Sequence, residues 1–372
     1  NPTNRKKQLK AMSLNIFHIV SSKKWSGIEQ YVYDLASELK KEGNYVEIVT
    51  TKRENILNRF RPLEIPISIL PLRRKADIES PIRFARLIKR GHNVVHVHNV
   101  KEARMALIAR RISENRNTRV ILTCHTVEKA KKGFVHRMIY NDLDKIIFVS
   151  ELSRNEFMLS FPSLNLSKTC VIHDSVKRDT NMEPEFDIRQ RYGIDSRKKL
   201  IMFHGRICEE KGISVLLRAI TQLDKERFHL VMMGSGEIKY IGFIKAFIIA
   251  NQLLHNVSFI PYQDHVQPLV AQCDIGVLPS IVREAFGITN IEYMMLGKPH
   301  ISTNNGAQPE YIDNGVTGLL VPPDDYKALA DAIETLLDDD ALCAQIGAAA
   351  KEQFDTQLDY PHFMERINMA YK

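Results

Sequence analysis

Short runs of β-branched and other apolar residues alternate along the chain with longer stretches whose apolar positions recur every three to four residues. The first kind predicts strands buried on both faces and the second predicts helices laid over them, the pattern of parallel sheets covered on both sides. In the first half the predicted strands are Asn15–Val20, Tyr45–Thr50, Val94–His98, Val120–Cys124, Lys145–Val149 and Thr169–Ile172. Between the first two, Ile28–Glu42 puts Tyr31, Leu35 and Leu39 on one helical face and stops before Gly43, which makes one strand–helix–strand unit. The polar stretch Ser175–Pro184 interrupts the alternation and reads as a linker between domains. After it the predicted strands are Leu200–His204, His229–Met233, Val257–Ile260, Asp274–Leu278 and His300–Ser302. Predicted helices cover Gly212–Leu223, a region near Ile241–Gln252, Asp264–Cys273 and Phe286–Leu296.

A chain of 372 residues is too long for one ordinary core. The expected fold class is α/β, two Rossmann-like domains in tandem, facing each other across a central cleft where ligands sit beyond the carboxyl ends of the strands. The expected boundaries are a disordered leader over 1–11 ahead of a native start at Met12, a first domain over 12–178, a second over 179–358, and a closing helix within 359–372.

Charge changes this picture more than composition does. The net charge of +8 conceals 34 Lys+Arg against 18 Asp+Glu in residues 1–180, which leaves 18 against 26 for the remainder. Arg59, Arg61, Arg73, Arg74, Lys75, Arg83, Arg86, Lys89 and Arg90 form one basic run, and Lys129, Lys131, Lys132 and Arg137 another. Such a face suits an anionic membrane surface or anionic acceptor, with a merely solvated face as the alternative. Nucleic acid is not expected, because no binding signature accompanies the charge and the aromatics are not interleaved for base stacking. No run reaches the ~18 apolar residues that a membrane span needs. The five scattered cysteines form no Cys-x-x-Cys pair and their odd number argues against a disulfide framework, so the expected location is the reducing cytoplasm, with peripheral association on the inner face of the membrane.

The candidate chemistry lies at strand ends. Glu284-Ala-Phe-Gly-Ile-Thr-Asn-Ile-Glu292 follows the apolar run Asp274–Ser280, so a helix is expected to open near Phe286 with one carboxylate at its mouth and the other about two turns in. The exposed N–H groups of a helix mouth at Phe286, Gly287 and Ile288 suit a diphosphate, Glu284 would face the sugar end, and Glu292 would accept from ribose hydroxyls. Two ordinary solvated acids on a helix would read the same way. Arg206 and Lys211 sit on the loop after strand Leu200–His204, where two cations can clamp a diphosphate. Gly205 and Gly234, beside that loop and at the next strand end, let the backbone approach a ligand, although a plain turn also uses glycine. In the first half, Gly27 occupies the turn after the first strand, and His125 follows Val120–Cys124, aimed at the expected cleft. His96 and His98 share a strand face, but with no acidic or Cys partner at ligand spacing they read as packing residues and no metal is expected.

Taken in order, Ser26-Gly-Ile-Glu-Gln30, Thr123-Cys-His125, Ile147-Phe-Val-Ser-Glu151, Gly205-Arg with Glu210-Lys-Gly212, Met233-Gly-Ser-Gly-Glu237, Glu284 to Glu292 with Met295-Leu-Gly-Lys-Pro299, and Gly315–Val321 resemble the retaining glycosyltransferases of family 4, which have the GT-B fold. The resemblance runs from about Leu14 onward. It implies that Arg206 and Lys211 hold the donor diphosphate, that Glu284 lies near the transferred sugar and Glu292 on the ribose, that His125 lines the sugar pocket, and that Gly27 belongs to a loop near donor and acceptor. It also implies that the closing helix crosses back to the first domain. The chain departs from the family at Ser26-Gly27, where two glycines are frequent, at His173-Asp-Ser-Val176, and at Gly306-Ala307 ahead of Glu310.

The implied reaction moves a hexosyl unit from a UDP-, GDP- or ADP-sugar to an acceptor hydroxyl with retained configuration. No cofactor is implied beyond that donor, and a glycan or lipid-linked acceptor of the cell envelope is expected from the basic first half. The alternatives are a nucleotide-sugar epimerase of the same fold and a non-catalytic basic protein of the membrane surface.

Overall fold

A computed structural model describes residues 14–73 and 77–372. The leader expected over 1–11, the start at Met12, and the basic residues Arg74 and Lys75 lie outside the described residues. Two compact units are present. One comprises residues up to Val149 with Arg154–Ile172 and Arg366–Lys372, and the other comprises Ser150–Ser153 and His173–Glu365.

The first unit is built on seven parallel strands: β1 (Asn15–Val20), β2 (Tyr45–Thr50), β3 (Ile67–Ile69), β4 (Asn93–Val97), β5 (Thr118–Cys124), β6 (Lys145–Phe148) and β7 (Thr169–Val171). Their spatial order is β3-β2-β1-β4-β5-β6-β7. The second unit has six: β8 (Lys199–His204), β9 (Phe228–Met233), β10 (Val257–Ile260), β11 (Ile275–Leu278), β12 (His300–Thr303) and β13 (Leu319–Val321), in the order β10-β9-β8-β11-β12-β13. Every pairing within both sheets is parallel, for example Ile16 with Val46 and Val94, and Met202 with Val231 and Gly276.

The strands read as unbroken apolar runs because both faces are covered. All six residues of β9 are buried, as are Leu200–His204 of β8. Leu216, Ile220, Ile244, Ile333 and Leu336 come from helices and close over one sheet, and Phe84, Ala103, Ala106, Tyr140 and Phe157 over the other. Each fully buried Leu, Ile or Phe contributes ~1.5–3 kcal/mol relative to exposure.

In each sheet the chain winds outward in one direction from its first strand and then returns to build the other side. This reverses the crossovers between β1 and β4 and between β8 and β11, the switch points beside which ligands bind in open α/β sheets. Several expected elements are shorter than predicted. The helix expected over Phe286–Leu296 is Ile288–Met295, and that over Asp264–Cys273 is the single turn Gln267–Val270. The helix expected over Gly212–Leu223 becomes a turn at Glu209–Lys211 followed by helix Ile213–Ile220. Among the described residues no helix is long and apolar enough to cross a membrane, and all five cysteines are unpaired.

Candidate active site

At the switch point of the second unit the loops after β8 and β11 meet. The first loop is pressed onto the end of β11: a Cβ on Gly212 would stand 1.8 Å from the carbonyl oxygen of Pro279, and the residue holds φ +71°. That contact delivers Lys211, whose Nζ lies 2.5 Å from Glu284 Oε1 on the second loop. Their side chains are 22% and 12% exposed, so the pair is screened from bulk water and is worth more than a surface ion pair. Ser280 Oγ donates to the same carboxylate oxygen.

Glu284 is not helical, which corrects the expectation of a carboxylate at a helix mouth. The helix starts only at Ile288, behind Gly287 in the left-handed region at φ +91°. The loop carrying Glu284 is fixed from elsewhere. Ala307 N donates to Glu284 O at 3.0 Å. A Cβ on Gly306 would come within 2.6 Å of Glu284 N and 2.7 Å of its carbonyl oxygen, so a side chain at that position has no room. Asn305 Nδ2 donates to Ile281 O at 2.8 Å. Behind the loop, the buried Phe286 ring stacks on His173 at 5.3 Å, and Tyr311 Oη donates to Phe286 O at 2.5 Å. Ser280 and Tyr311 were not singled out in the sequence, and only the Gly306-Ala307 motif pointed to that region.

The first N–H groups of helix Ile288–Met295 have no intrahelical partner, as at any helix start. Thr289 Oγ1 donates to His204 O at 3.4 Å, which sets the helix against the end of β8. One turn on, Glu292 Oε2 stands 3.4 Å from His204 Nε2. This is a contact between neutral groups. Burial, then the nearby charge of Asp179, pushes the Glu292 carboxyl up to about 8, while burial pulls the His204 imidazole down to about 3. A desolvated carboxyl without a cation to pair with is the kind of group that a polar ligand satisfies.

Gly205 N donates to Met233 O and Gly234 N to Ile260 O, both at 2.9 Å, which carries the ladder one step beyond the ends of β8 and β9. A Cβ on Gly234 would meet Gly205 O at 1.8 Å. The backbone is therefore bare at this edge. Arg206, expected beside Lys211, instead reaches back to Glu210 at 3.1 Å with 66% of its side chain exposed.

In the first unit, Gly27 is the first residue of helix Gly27–Lys41 rather than part of a turn, and a Cβ there would meet nothing within 4 Å. Tyr31 of that helix packs edge-on against His125, with ring centroids 4.8 Å apart. His125 Nε2 lies 3.0 Å from His98 Nδ1, and burial lowers the His125 imidazole to about 4. The ends of β1 and β4 are tied by a group the sequence did not reveal, the buried Glu102 carboxylate. It accepts from Ser21 N at 2.8 Å, Ser21 Oγ at 2.6 Å and His98 N at 2.9 Å. His18 joins His96 and His98, with one ligating atom from each inside 4.8 Å. His96, however, already uses both nitrogens, with Tyr371 Oη at 2.7 Å and Thr123 Oγ1 at 2.6 Å. With His98 Nδ1 taken by His125, the unpartnered ring atoms of the three are the two nitrogens of His18 and Nε2 of His98, two residues where a closed or catalytic metal site uses three or four.

Comparison with known proteins shows the family and the fold. Residues 25–179 match the model of Glycosyltransferase Family 4, and residues 184–353 match that of Glycosyl transferases group 1. An uncharacterized glycosyltransferase of Methanocaldococcus jannaschii is 24% identical over 93% of this chain and 94% of its own. The phosphatidyl-myo-inositol mannosyltransferase of Mycobacterium leprae is 26% identical over 88% of this chain and 87% of its own. Among solved structures, a glycosyltransferase from Rickettsia africae superposes with a TM-score of 0.87 at 22% identity, covering 97% of this chain and 98% of that one. Anabaena HepE in complex with UDP and glucose superposes with a TM-score of 0.80 at 19% identity, covering 95% and 98%. The chain belongs to the family 4, group 1 glycosyltransferases and has the GT-B fold.

Proposed function

We propose that the protein is a retaining hexosyltransferase whose donor is a nucleoside diphosphate sugar, held by the loops after β8, β9 and β11. The observation that carries this reading is the half-buried Lys211 ammonium against Glu284 at the switch point of the second sheet. Anabaena HepE, a structural neighbour, has been solved with UDP-glucose, which makes UDP-glucose the first donor to test; GDP- and ADP-hexoses follow.

In this reading the bare edge at Gly205 and Gly234 receives the nucleotide, and Glu292 accepts from its ribose hydroxyls. Lys211, Arg206 after leaving Glu210, and the first amides of the helix behind Gly287 hold the diphosphate. Glu284 accepts from a hydroxyl of the sugar. The acceptor hydroxyl attacks the anomeric carbon from the face that the diphosphate leaves. The carbon–oxygen bond to the diphosphate breaks, the new glycosidic bond forms on the same face, and the acceptor's proton passes to a diphosphate oxygen. Charge builds on that diphosphate, and fixed cations and amides stabilise it more in the transition state than in the ground state. No metal has a role in this route. His125 is assigned to the transferred sugar by its resemblance to the family's first-domain histidine.

The acceptor is a glycan or lipid-linked glycan of the cell envelope, and the site of action is the cytoplasmic face of the membrane; the basic balance of residues 1–180 supports both. The test is release of free nucleoside diphosphate from each donor with and without candidate acceptors. Acceptor-dependent release with an α-linked product from an α-linked donor supports the reading, whereas interconversion of the donor sugar without release contradicts it. Near-normal turnover by Lys211→Ala would also contradict it.

A further inference from the structure

Helix Phe134–Asp142 turns an apolar face outward. Ile139 and Tyr140 are its buried residues, packed in the core of the first unit. Phe134, Val135 and Met138 point the other way, 77%, 56% and 42% exposed. The spacing of 134, 135 and 138 places these three side chains together on one surface of the helix. Isolated exposed apolar residues are ordinary, but three large ones side by side on one helix turn are not.

Cations surround this face. Lys129, Lys131 and Lys132 lead into the helix and Arg137 lies within it, all of them exposed. Among the described residues none of these four enters an ion pair; Arg137 lies over the Phe161 ring at 6.0 Å. Glu128 precedes the run, and the helix's own acid, Asp142, pairs with Arg111. A core-packing role would leave the outward face polar, and a solvated lysine run would not carry Phe134 beside it. Large apolar side chains ringed by unpaired cations fit a surface that offers hydrocarbon beneath anionic headgroups.

We propose that residues 129–138 dock the protein on an anionic lipid bilayer, with Phe134, Val135 and Met138 entering the interface and Lys129, Lys131, Lys132 and Arg137 on the headgroups. The segment follows β5 directly, and β5 ends beside His125, so docking holds the carboxyl end of that strand close to the lipid surface. Two weak signals act together here, since neither a short apolar face nor a few cations alone gives stable attachment. The inference does not depend on the donor reading, because vesicle binding is measured without substrate.

The experiment is co-sedimentation of the full chain with phosphatidylglycerol-containing vesicles and with pure phosphatidylcholine vesicles, at low and high salt. Binding to the anionic vesicles, lowered by salt, is expected. Replacing Lys131 and Lys132 by Gln weakens it about 25-fold, at about five-fold per charge. Phe134→Ser weakens it about ten-fold or more while the melting temperature stays unchanged, since the ring is already exposed. Equal binding to both vesicle types, or no loss in either variant, overturns the proposal. So does loss through Ile238→Asp or Phe243→Asp, on the exposed face of helix Ile238–Ala250, with residues 129–138 intact. Concentration-dependent dimerisation abolished by Phe134→Ser, without vesicle binding, would instead make the face a contact between copies of the chain.

Discussion

Lys211 and Glu284, 73 positions apart in the chain, meet at 2.5 Å because Gly212 lets the loop after β8 rest on the carbonyl of Pro279 at the end of β11. A cation and a carboxylate held this way form one unit, and removing either leaves the other partly buried and unpaired. Lys211→Ala and Glu284→Ala are each expected to lower kcat/KM by about 10²–10³, or ~2–4 kcal/mol. The double variant should lose much less than the sum of the two. Additive losses in a double-mutant cycle would show that the two side chains act separately.

Arg206 poses a different case. Its pair with Glu210 is exposed, so Arg206→Ala should change stability by less than about 0.5 kcal/mol. Donor turnover should nevertheless fall by roughly 10²-fold if the guanidinium swings onto the diphosphate. Unchanged turnover in a normally folded Arg206→Ala would confine the diphosphate grip to Lys211 and the backbone.

The glycines separate shape from function. Gly234→Ala sets a methyl group 1.8 Å from Gly205 O, so the ends of β8 and β9 must part. A loss on the order of 2–3 kcal/mol in stability, together with loss of nucleotide binding, is expected. Gly27→Ala meets nothing within 4 Å and sits at a helix start, so the melting temperature should hold or rise slightly. Reduced activity of that folded variant would place a substrate against Gly27, and full activity would remove Gly27 from the site.

Glu292 makes stability depend on pH. Its carboxyl is raised from 4.5 to about 8 by burial and then by Asp179, so the folded chain holds its proton more tightly than the unfolded chain does. The resulting stabilisation is complete below the unfolded value and is lost as pH rises toward the folded one. Glu292→Gln should match the parent near pH 5 and exceed it at pH 8.5, by a margin on the order of 2–4 kcal/mol. Thermal unfolding across that range checks it, and a margin independent of pH would mean that Glu292 ionises freely.

Much of this architecture was legible in the residues. β1, β2 and β10 match their predicted bounds because long or fully buried apolar runs flanked by polar residues leave little choice. Helix Tyr360–Tyr371 falls inside the expected 359–372. The edge strands β3 and β13, three residues each, are too short to show a period, and both were missed. The site was legible as motifs but not as geometry. Glu284 and Lys211 stand out as charged residues at strand ends, yet the loop that joins them is shaped by Gly306, Ser280 and Tyr311, whose roles exist only after folding. His18 likewise becomes a neighbour of His96 only through the register of β1 against β4.

The central claim is that the second unit grips a nucleoside diphosphate between Lys211 and the buried Glu292. Calorimetric titration of the purified chain with UDP, GDP and ADP, and with their hexose conjugates, tests it most directly. The account predicts saturable one-to-one binding of one nucleotide series, weakened at least ten-fold in Lys211→Ala and again in Glu292→Ala. Failure of every nucleotide to bind, or undiminished binding in both folded variants, would contradict it.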